Sequence, residues 1–280
     1  GGDADVGAEE GAEERLDIKV GMGLDEIPTV GSLSVASAPM QSAMLARAMG
    51  IWKKQGVIIF PALLKPSTID RLLERVRAAQ HGDHTRDYTT VTRDKAHRSH
   101  KALPVTEAAE ALEEIAAALR PFLESVLGTQ APALLESGFM VTAPGATAQQ
   151  FHRDVAPAVV SCSSMTVSIQ VSLVDTAANQ GSLEVIPSSQ TFDPAVSDRA
   201  RAEALPKVHV AVPKGSVTVY ALHTMHRGSA NTHTADRPFY FFTLAGDGLP
   251  PPGLAYTIQP EDIGHWELVA AKLVTANAQS

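Results

Sequence analysis

The sequence predicts a mostly β protein, a sandwich or barrel with N-terminal helices packed on one face, and three observations carry that prediction. Apolar residues recur at helical spacing up to about residue 130. From Leu134 onward they alternate with polar ones. Turn residues then cut the second half into about seven short segments, the spacing of an all-β domain rather than of βαβ units. A chain of 280 residues suits one such domain. Its 44% hydrophobic and 19% charged content is that of a globular protein, which excludes a chain disordered throughout.

Residues 1 to 26 carry nine acidic side chains against Arg15 and Lys19 and are rich in Gly and Ala. Residues 1–36 therefore read as an acidic, flexible tail. The first helix is expected from Ser37 as cap and Pro39 in the first turn, with Met40, Met44, Leu45 and Ala48 on one face and Gly50 and Gly56 beyond. Val57 to Phe60 reads as a short buried strand. Lys65-Pro66-Ser67 opens a second helix whose Ile69, Leu72, Leu73 and Val76 follow i, i+3, i+4, i+7. A third is expected from a Thr106 cap to Gly128, with Leu112, Ile115, Leu119, Leu123 and Val126 inward and a kink at Pro121.

Between the second and third helices, His81 to Lys101 holds His81, His84, His97 and His100 with five basic residues. It reads as an exposed loop, with an active-site cover facing an anionic group as the functional alternative. His97 and His100 have ligand-like spacing, but no carboxylate or cysteine pattern supports metal binding there.

The expected strands are Leu134 to Val141, Gln149 to Phe151, Met165 to Val174, Leu183 to Ile186, Val208 to Val212, Ser216 to Ala221 and Pro238 to Ala245. Pro144-Gly145, Asn179-Gln180-Gly181, Pro187-Ser188, Pro213-Lys214-Gly215 and Asp247-Gly248 punctuate them. Met165 to Leu173 alternates most cleanly. Its Thr166, Ser168, Gln170 and Ser172 face is either solvent-exposed or turned into a lumen. No internal repeat is present. The expected division is a tail at 1–36 and a single domain at 37–280, helical over 37–130, β over 131–247 and extended at the C-terminus over 248–280.

Charge narrows the function. The formal net charge is -8, but the acidic start accounts for nearly all of it, and the remainder is close to neutral. A nucleic-acid partner, which requires a basic footprint, is excluded. The longest apolar run, Val57 to Leu64, is broken by Pro61 and falls short of the ~18 residues needed to span a bilayer. A single cysteine, Cys162, excludes an intramolecular disulfide and a Cys-based zinc cluster, and reads as a small buried apolar residue. The chain opens on Gly1 rather than Met, so a removed targeting segment would leave no trace. The expectation is a soluble protein of a reducing compartment, cytoplasm or organelle lumen, with its oligomeric state open.

The chemistry concentrates in two stretches. On an extended strand, residues i and i+2 project to one face, so His152 and Asp154 can hold one ion while Arg153 points away. With one distant histidine, they are the ingredients of a two-histidine, one-carboxylate facial triad. His223, His226 and His233 compete for the third place.

Gln149-x-x-His152-Arg153-Asp154, the segment Asn179 to Ser189, and His226-Arg227-Gly228-Ser229-Ala230-Asn231 followed by Asp236-Arg237-Pro238 resemble the phytanoyl-CoA dioxygenase family of Fe(II)/2-oxoglutarate oxygenases. The likeness runs from roughly Met40 to Gly246, with the motifs in family order. It implies a double-stranded β-helix, a jelly-roll or cupin-like barrel, with His152, Asp154 and His226 as iron ligands. Arg237, eleven residues past His226, would pair with the distal carboxylate of 2-oxoglutarate, a role that a planar, permanently charged guanidinium suits. Gln149, Gln170 and Ser229 are further candidates for contacts to the co-substrate.

The implied cofactors are Fe(II), 2-oxoglutarate and O2, with ascorbate as a reductant. The implied reaction is hydroxylation of a small molecule with release of succinate and CO2. Relatives that halogenate replace the carboxylate with a small residue, so Asp154 favours oxygenation. The family acts on acyl-CoA esters, amino acids, phosphonates and secondary metabolites, so the resemblance leaves the substrate open. Two alternatives stand beside this reading: a catalytically silent jelly-roll sensor or metal- and 2-oxoglutarate-binding module, and a zinc hydrolase, which would give Arg237 no role.

Overall fold

A computed structural model of the chain describes residues 31–34, 40–82, 87, 94–155, 166–191, 202 and 205–246. Residues 1–30 of the expected tail, Ser37, Pro39, His84, Cys162, Met165 and the stretch beyond 246 lie outside the described residues, whereas at 31–34 Ser32 bridges Ile59 and Leu33 is buried.

Among the described residues, three helices come from the N-terminal half. Helix α1, Ser42–Gln55, runs through Gly50 and closes where Gly56 N–H donates to Trp52 O at 2.8 Å. Helix α2, Pro66–His81, starts on the proline expected there. Its first turn is capped from another helix: Glu114 accepts from Lys65 N–H at 2.9 Å and from the Thr68 hydroxyl at 2.7 Å. Helix α3, Val105–Leu127, begins one residue before the expected Thr106 cap, directly after an extended Pro104, and continues unbroken through Pro121.

The described strands form two antiparallel sheets. The larger contains β1 Val57–Phe60, β2 Arg98–Ala102, β3 Ala133–Thr142, β4 Thr166–Ser172, β7 Val217–Ala221 and β9 Arg237–Ala245, in the order β1-β7-β4-β9-β3-β2. The smaller contains β5 Leu183–Val185, β6 Val208–Val210 and β8 His226–Gly228, in the order β6-β5-β8. Their hydrogen bonding does not close into a continuous barrel, so the jelly roll is an open pair of sheets.

Alternation divides the large sheet into two faces. Phe139, Val141, Val167, Ile169, Val171, Val217, Val219, Tyr240, Phe242 and Leu244 pack against α1 to α3 in the main core. Each fully buried side chain of this size contributes roughly 1.5–3 kcal/mol. The opposite face turns towards the small sheet, where Val57, Ile59 and Tyr220 meet Leu183, Val185, Val208 and Val210. The polar face of β4 therefore looks into the molecule rather than into solvent.

Two expectations fail in detail. Gln149 to Phe151 is not a ladder strand but leads into an isolated bridge at His152, because only that residue meets β8 in register. The His81 to Lys101 segment is not one exposed loop: residues 98–102 are an edge strand paired with β3, with Arg98 only 2% exposed. No helix among the described residues is long and apolar enough to cross a membrane.

Candidate metal centre

His152, Asp154 and His226 come together between the sheets, each offering one ligand atom, with all three atoms within 4.8 Å of one another. Nε2 of His152 and Nε2 of His226 lie 3.6 and 3.5 Å from Asp154 Oδ1. Backbone pairing builds this arrangement. His152 and His226 form an antiparallel bridge, and Asp154 N–H donates to Leu222 O at 2.9 Å.

The tautomers follow from the partners. His152 Nδ1 lies 2.8 Å from Gln150 O and His226 Nδ1 lies 2.9 Å from Thr224 O. A carbonyl only accepts, so both Nδ1 atoms carry hydrogen and both Nε2 lone pairs are left for an ion. Burial lowers the His226 pKa, outweighing the attraction of Asp154, and so favours the neutral, ligating imidazole. Tyr220, whose ring centroid is 4.8 Å from that of His226, is pushed up by burial and by Asp154, and keeps its phenolic hydrogen.

Beside the triad lies a cavity of about 570 Å3 lined by strands of both sheets. Arg237 stands in it, 5% exposed. Its Nη1 donates to Gly181 O at 3.1 Å and its Nη2 to Gln170 Oε1 at 3.2 Å, its guanidinium lies 4.2 Å from the Phe239 ring centre, and its Nε has no partner. Among the described residues no carboxylate pairs with it. Burial, reinforced by Arg98, lowers its pKa to about 9, which still leaves it charged at neutral pH.

The preceding residue holds it in place. Asp236 takes two hydrogen bonds from Arg77 of α2, at 2.5 and 2.8 Å, and its carbonyl accepts from Gln180 Nε2 at 2.8 Å. The Asn179-Gln180-Gly181 turn completes the cradle. Gly181 has φ of 65° and a Cβ there would sit 2.7 Å from Thr142 Cγ2, so only glycine lets this carbonyl reach Arg237 without strain.

The remaining candidates divide. Gln149 lines the cavity, and its Oε1 accepts from Gly228 N–H at 2.8 Å, so its NH2 is what it offers inward. Gln170 also lines the cavity but bridges Arg237 and Tyr220, donating to the Tyr220 oxygen at 3.1 Å. Ser229 is not among the lining residues. Its hydroxyl lies 3.4 Å from both Ser182 Oγ and Ala230 O. His223 and His233 are not in the triad; His233 Nδ1 accepts from Ala235 N–H at 3.0 Å, two residues before Arg237.

Sequence reasoning missed Arg98. Its Nη groups donate to Thr142 Oγ1 at 3.1 Å, Thr147 O at 2.8 Å and Ser229 O at 3.0 Å, and its Nε is unpartnered. Two buried guanidiniums, neither hydrogen-bonded to a carboxylate among the described residues, thus face one cavity, with Asp94 attracting Arg98 from the same wall. The available signal was the alternation Arg98, His100, Ala102, which the many charges around it obscured.

Comparisons with known proteins bear on the fold and the family. No curated protein sequence matches the chain. Among solved structures, SnoK, a non-haem α-ketoglutarate-dependent carbocyclase from nogalamycin biosynthesis, matches at TM-score 0.62 and 17% identity, over 77% of this chain and 90% of its own. SnoN, the epimerase of the same biosynthesis, matches at 0.58 and 16%, over 73% and 82%. It has also been solved with Fe3+, α-ketoglutarate and nogalamycin RO. AviO1 from Streptomyces viridochromogenes matches at 0.55 and 20%, over 76% and all of its own chain. These likenesses show the fold. Residues 52–239 match the family described as phytanoyl-CoA dioxygenase (PhyH), and the chain belongs to that family.

Proposed function

We propose that the protein is a non-haem Fe(II)- and 2-oxoglutarate-dependent dioxygenase that hydroxylates a small molecule and releases succinate and CO2. The observation that carries this reading is Arg237, a buried guanidinium whose Nε has no partner and which no described carboxylate pairs, in the cavity that also holds the His152, Asp154 and His226 atoms. A buried charge is stable only when compensated, so the cavity is built for an anion beside a cation.

The donor set fits the metal. Two neutral imidazole nitrogens and one carboxylate oxygen on one side of the cavity suit a divalent iron with open positions. Arg237 and Arg98 supply the positive end for a dicarboxylate, and Gln149 adds a donor between that end and the triad. When bound, iron and 2-oxoglutarate supply the O2-dependent oxidation; the protein holds the ligands, orients the co-substrate and excludes water. Gln170 couples the two parts, because it holds Arg237 with its oxygen and Tyr220, beside His226, with its nitrogen. Zinc hydrolysis would leave Arg237 without a task.

The names of SnoK and SnoN show that related folds also cyclise and epimerise. The outcome here is read from product mass, a gain of one oxygen marking hydroxylation. The first test is succinate formation from 2-oxoglutarate with Fe(II) in air, with and without candidate substrates. Iron-loaded protein that makes no succinate in any of them supports the silent binding module instead.

A further inference from the structure

The cavity has a second end. Arg98 stands opposite Thr142, and Thr142 opposite Arg237, at one end of β2, β3 and β9. Glu136 and Thr243 stand six strand positions further along β3 and β9, about 20 Å at roughly 3.4 Å per residue. From there the register runs straight across four strands: Glu136 opposite Thr243, Thr243 opposite Ser168, Ser168 opposite Tyr220. Three strand spacings put the Glu136 backbone about 14 Å from that of Tyr220, the phenol beside His226.

A β-bulge aims Glu136 into this end. Leu134 pairs with Leu244 and both lie in the helix-facing core; the register then shifts, and Glu136 pairs with Thr243. Regular alternation from Leu134 would return residue 136 to the helix core, where a carboxylate is costly to bury. The extra residue turns Glu136 over to the cavity, where the Thr243 hydroxyl donates to Oε2 at 2.6 Å. Bulges beside active sites commonly re-aim a side chain in this way.

Between this carboxylate and the arginines the wall is aromatic and apolar. Phe239, Phe241 and Met140 line it, and His100 packs edge-on to Phe241 with ring centres 5.3 Å apart. Burial lowers the His100 pKa to about 4, so at neutral pH the ring adds no positive charge.

We propose that Glu136 receives an ammonium group of the substrate, and that the cavity selects an amine whose apolar body lies along Phe239, Phe241 and Met140. The inference rests on the reading of the triad and Arg237 as the iron and 2-oxoglutarate sites. Charge sets the direction of binding: Arg98 and Arg237 repel an ammonium from the co-substrate end, where the Asp94 carboxylate is already taken up by His97 and Thr147, and Glu136 repels a substrate carboxylate. Aromatic faces along the way favour a cation over an anion. The anionic group expected near the histidine-rich segment thus belongs at the arginine end, and the substrate's own charge is positive.

The test uses the full chain loaded with Ni(II) and 2-oxoglutarate, which does not turn over. Calorimetry measures binding of 4-phenylbutylamine, 4-phenylbutan-1-ol and 4-phenylbutyrate. The amine should bind about tenfold or more tighter than the alcohol, with the carboxylate weakest. Glu136→Gln, which still offers Thr243 an acceptor, should remove the amine's advantage, with 2-oxoglutarate binding as the control for folding. An alcohol or carboxylate that binds as well as the amine, no measurable amine binding, an amine preference that survives Glu136→Gln, or a variant that loses 2-oxoglutarate would each overturn the assignment. Wild-type protein that fails to bind Ni(II) and 2-oxoglutarate would overturn the cofactor reading instead. The same three probes and Glu136→Gln on the metal-free protein then decide the amine site separately.

Discussion

His152 and His226 exchange both backbone hydrogen bonds, each N–H donating to the other's carbonyl at 3.0 Å. Two segments more than seventy residues apart are thereby locked face to face, and the ring centroids lie 4.5 Å apart. The geometry of the candidate metal site is thus set by backbone pairing, so the loss of one of its three side chains leaves the site's frame in place.

Asp154→Ala keeps the N–H that donates to Leu222 O, so the variant should fold with a metal-free Tm near that of wild type. It should lose succinate formation and the upward Tm shift that Ni(II) produces in the parent. Turnover or a metal-induced shift like that of wild type would refute the ligand assignment.

Arg237→Ala should raise the half-saturating 2-oxoglutarate concentration by roughly 30-fold to several thousand-fold, the ~2–5 kcal/mol typical of removing one partner of a buried charge pair. Arg237→Lys should fall between the two, since it keeps the charge and loses the fork that reaches both Gly181 O and Gln170 Oε1. The readout is the 2-oxoglutarate dependence of the Tm shift in Ni(II)-loaded protein. An unchanged requirement in the alanine variant would leave Arg237 without the role assigned to it.

Gly228 sits where Arg98 and Gln149 converge. A Cβ there would lie 2.8 Å from Arg98 Nη1 and 2.9 Å from Gln149 Oε1. Arg98 is tied by three hydrogen bonds and cannot easily retreat, so Gly228→Ala should cost ~1–3 kcal/mol, a few degrees or more of Tm. It should also raise the 2-oxoglutarate requirement, because both displaced side chains face the cavity. A variant with unchanged Tm and unchanged requirement would show that this crowding is relieved without consequence.

What the sequence revealed depended on whether the signal was local. The period-2 run that became β4 and the i, i+3, i+4 face of α2 are local patterns, and both elements stand where they are expected, α2 on its own proline and β4 with its polar Ser168 and Gln170 in the cavity. Motif spacing likewise marked His152, Asp154, His226 and Arg237 as a set that the fold gathers around one cavity. Arg98 was hidden because its burial depends on pairing with β3, more than thirty residues away, amid a run of charges that reads as solvated loop. Glu136 was hidden for a different reason: a single bulge reverses which face it occupies, and no alternation pattern announces a bulge.

Acid should destabilise the metal-free protein over a defined window. Burial lowers both His100 and His223 to about 4, and the Arg153 guanidinium adds to the effect on His223. Below the ordinary histidine value of about 6.5 the unfolded chain takes up protons that the folded chain refuses, so stability falls as pH drops from about 6.5 to 4. Each histidine contributes a slope on the order of 1 kcal/mol per pH unit, and His226, also lowered by burial, acts in the same direction. Asp94 acts only below this window. Thr147 N–H, with His97 and the Thr147 hydroxyl, holds it at about 2, so its contribution is complete above about 3.8 and is lost between there and 2. Denaturant unfolding at steps from pH 7.5 to 4 should therefore show a flat upper region and a decline beginning near 6.5. His223→Gln should make that decline shallower by about one histidine's share. A wild-type profile that stays flat down to pH 4.5 would mean that these rings accept protons in the folded state and are not held neutral by burial.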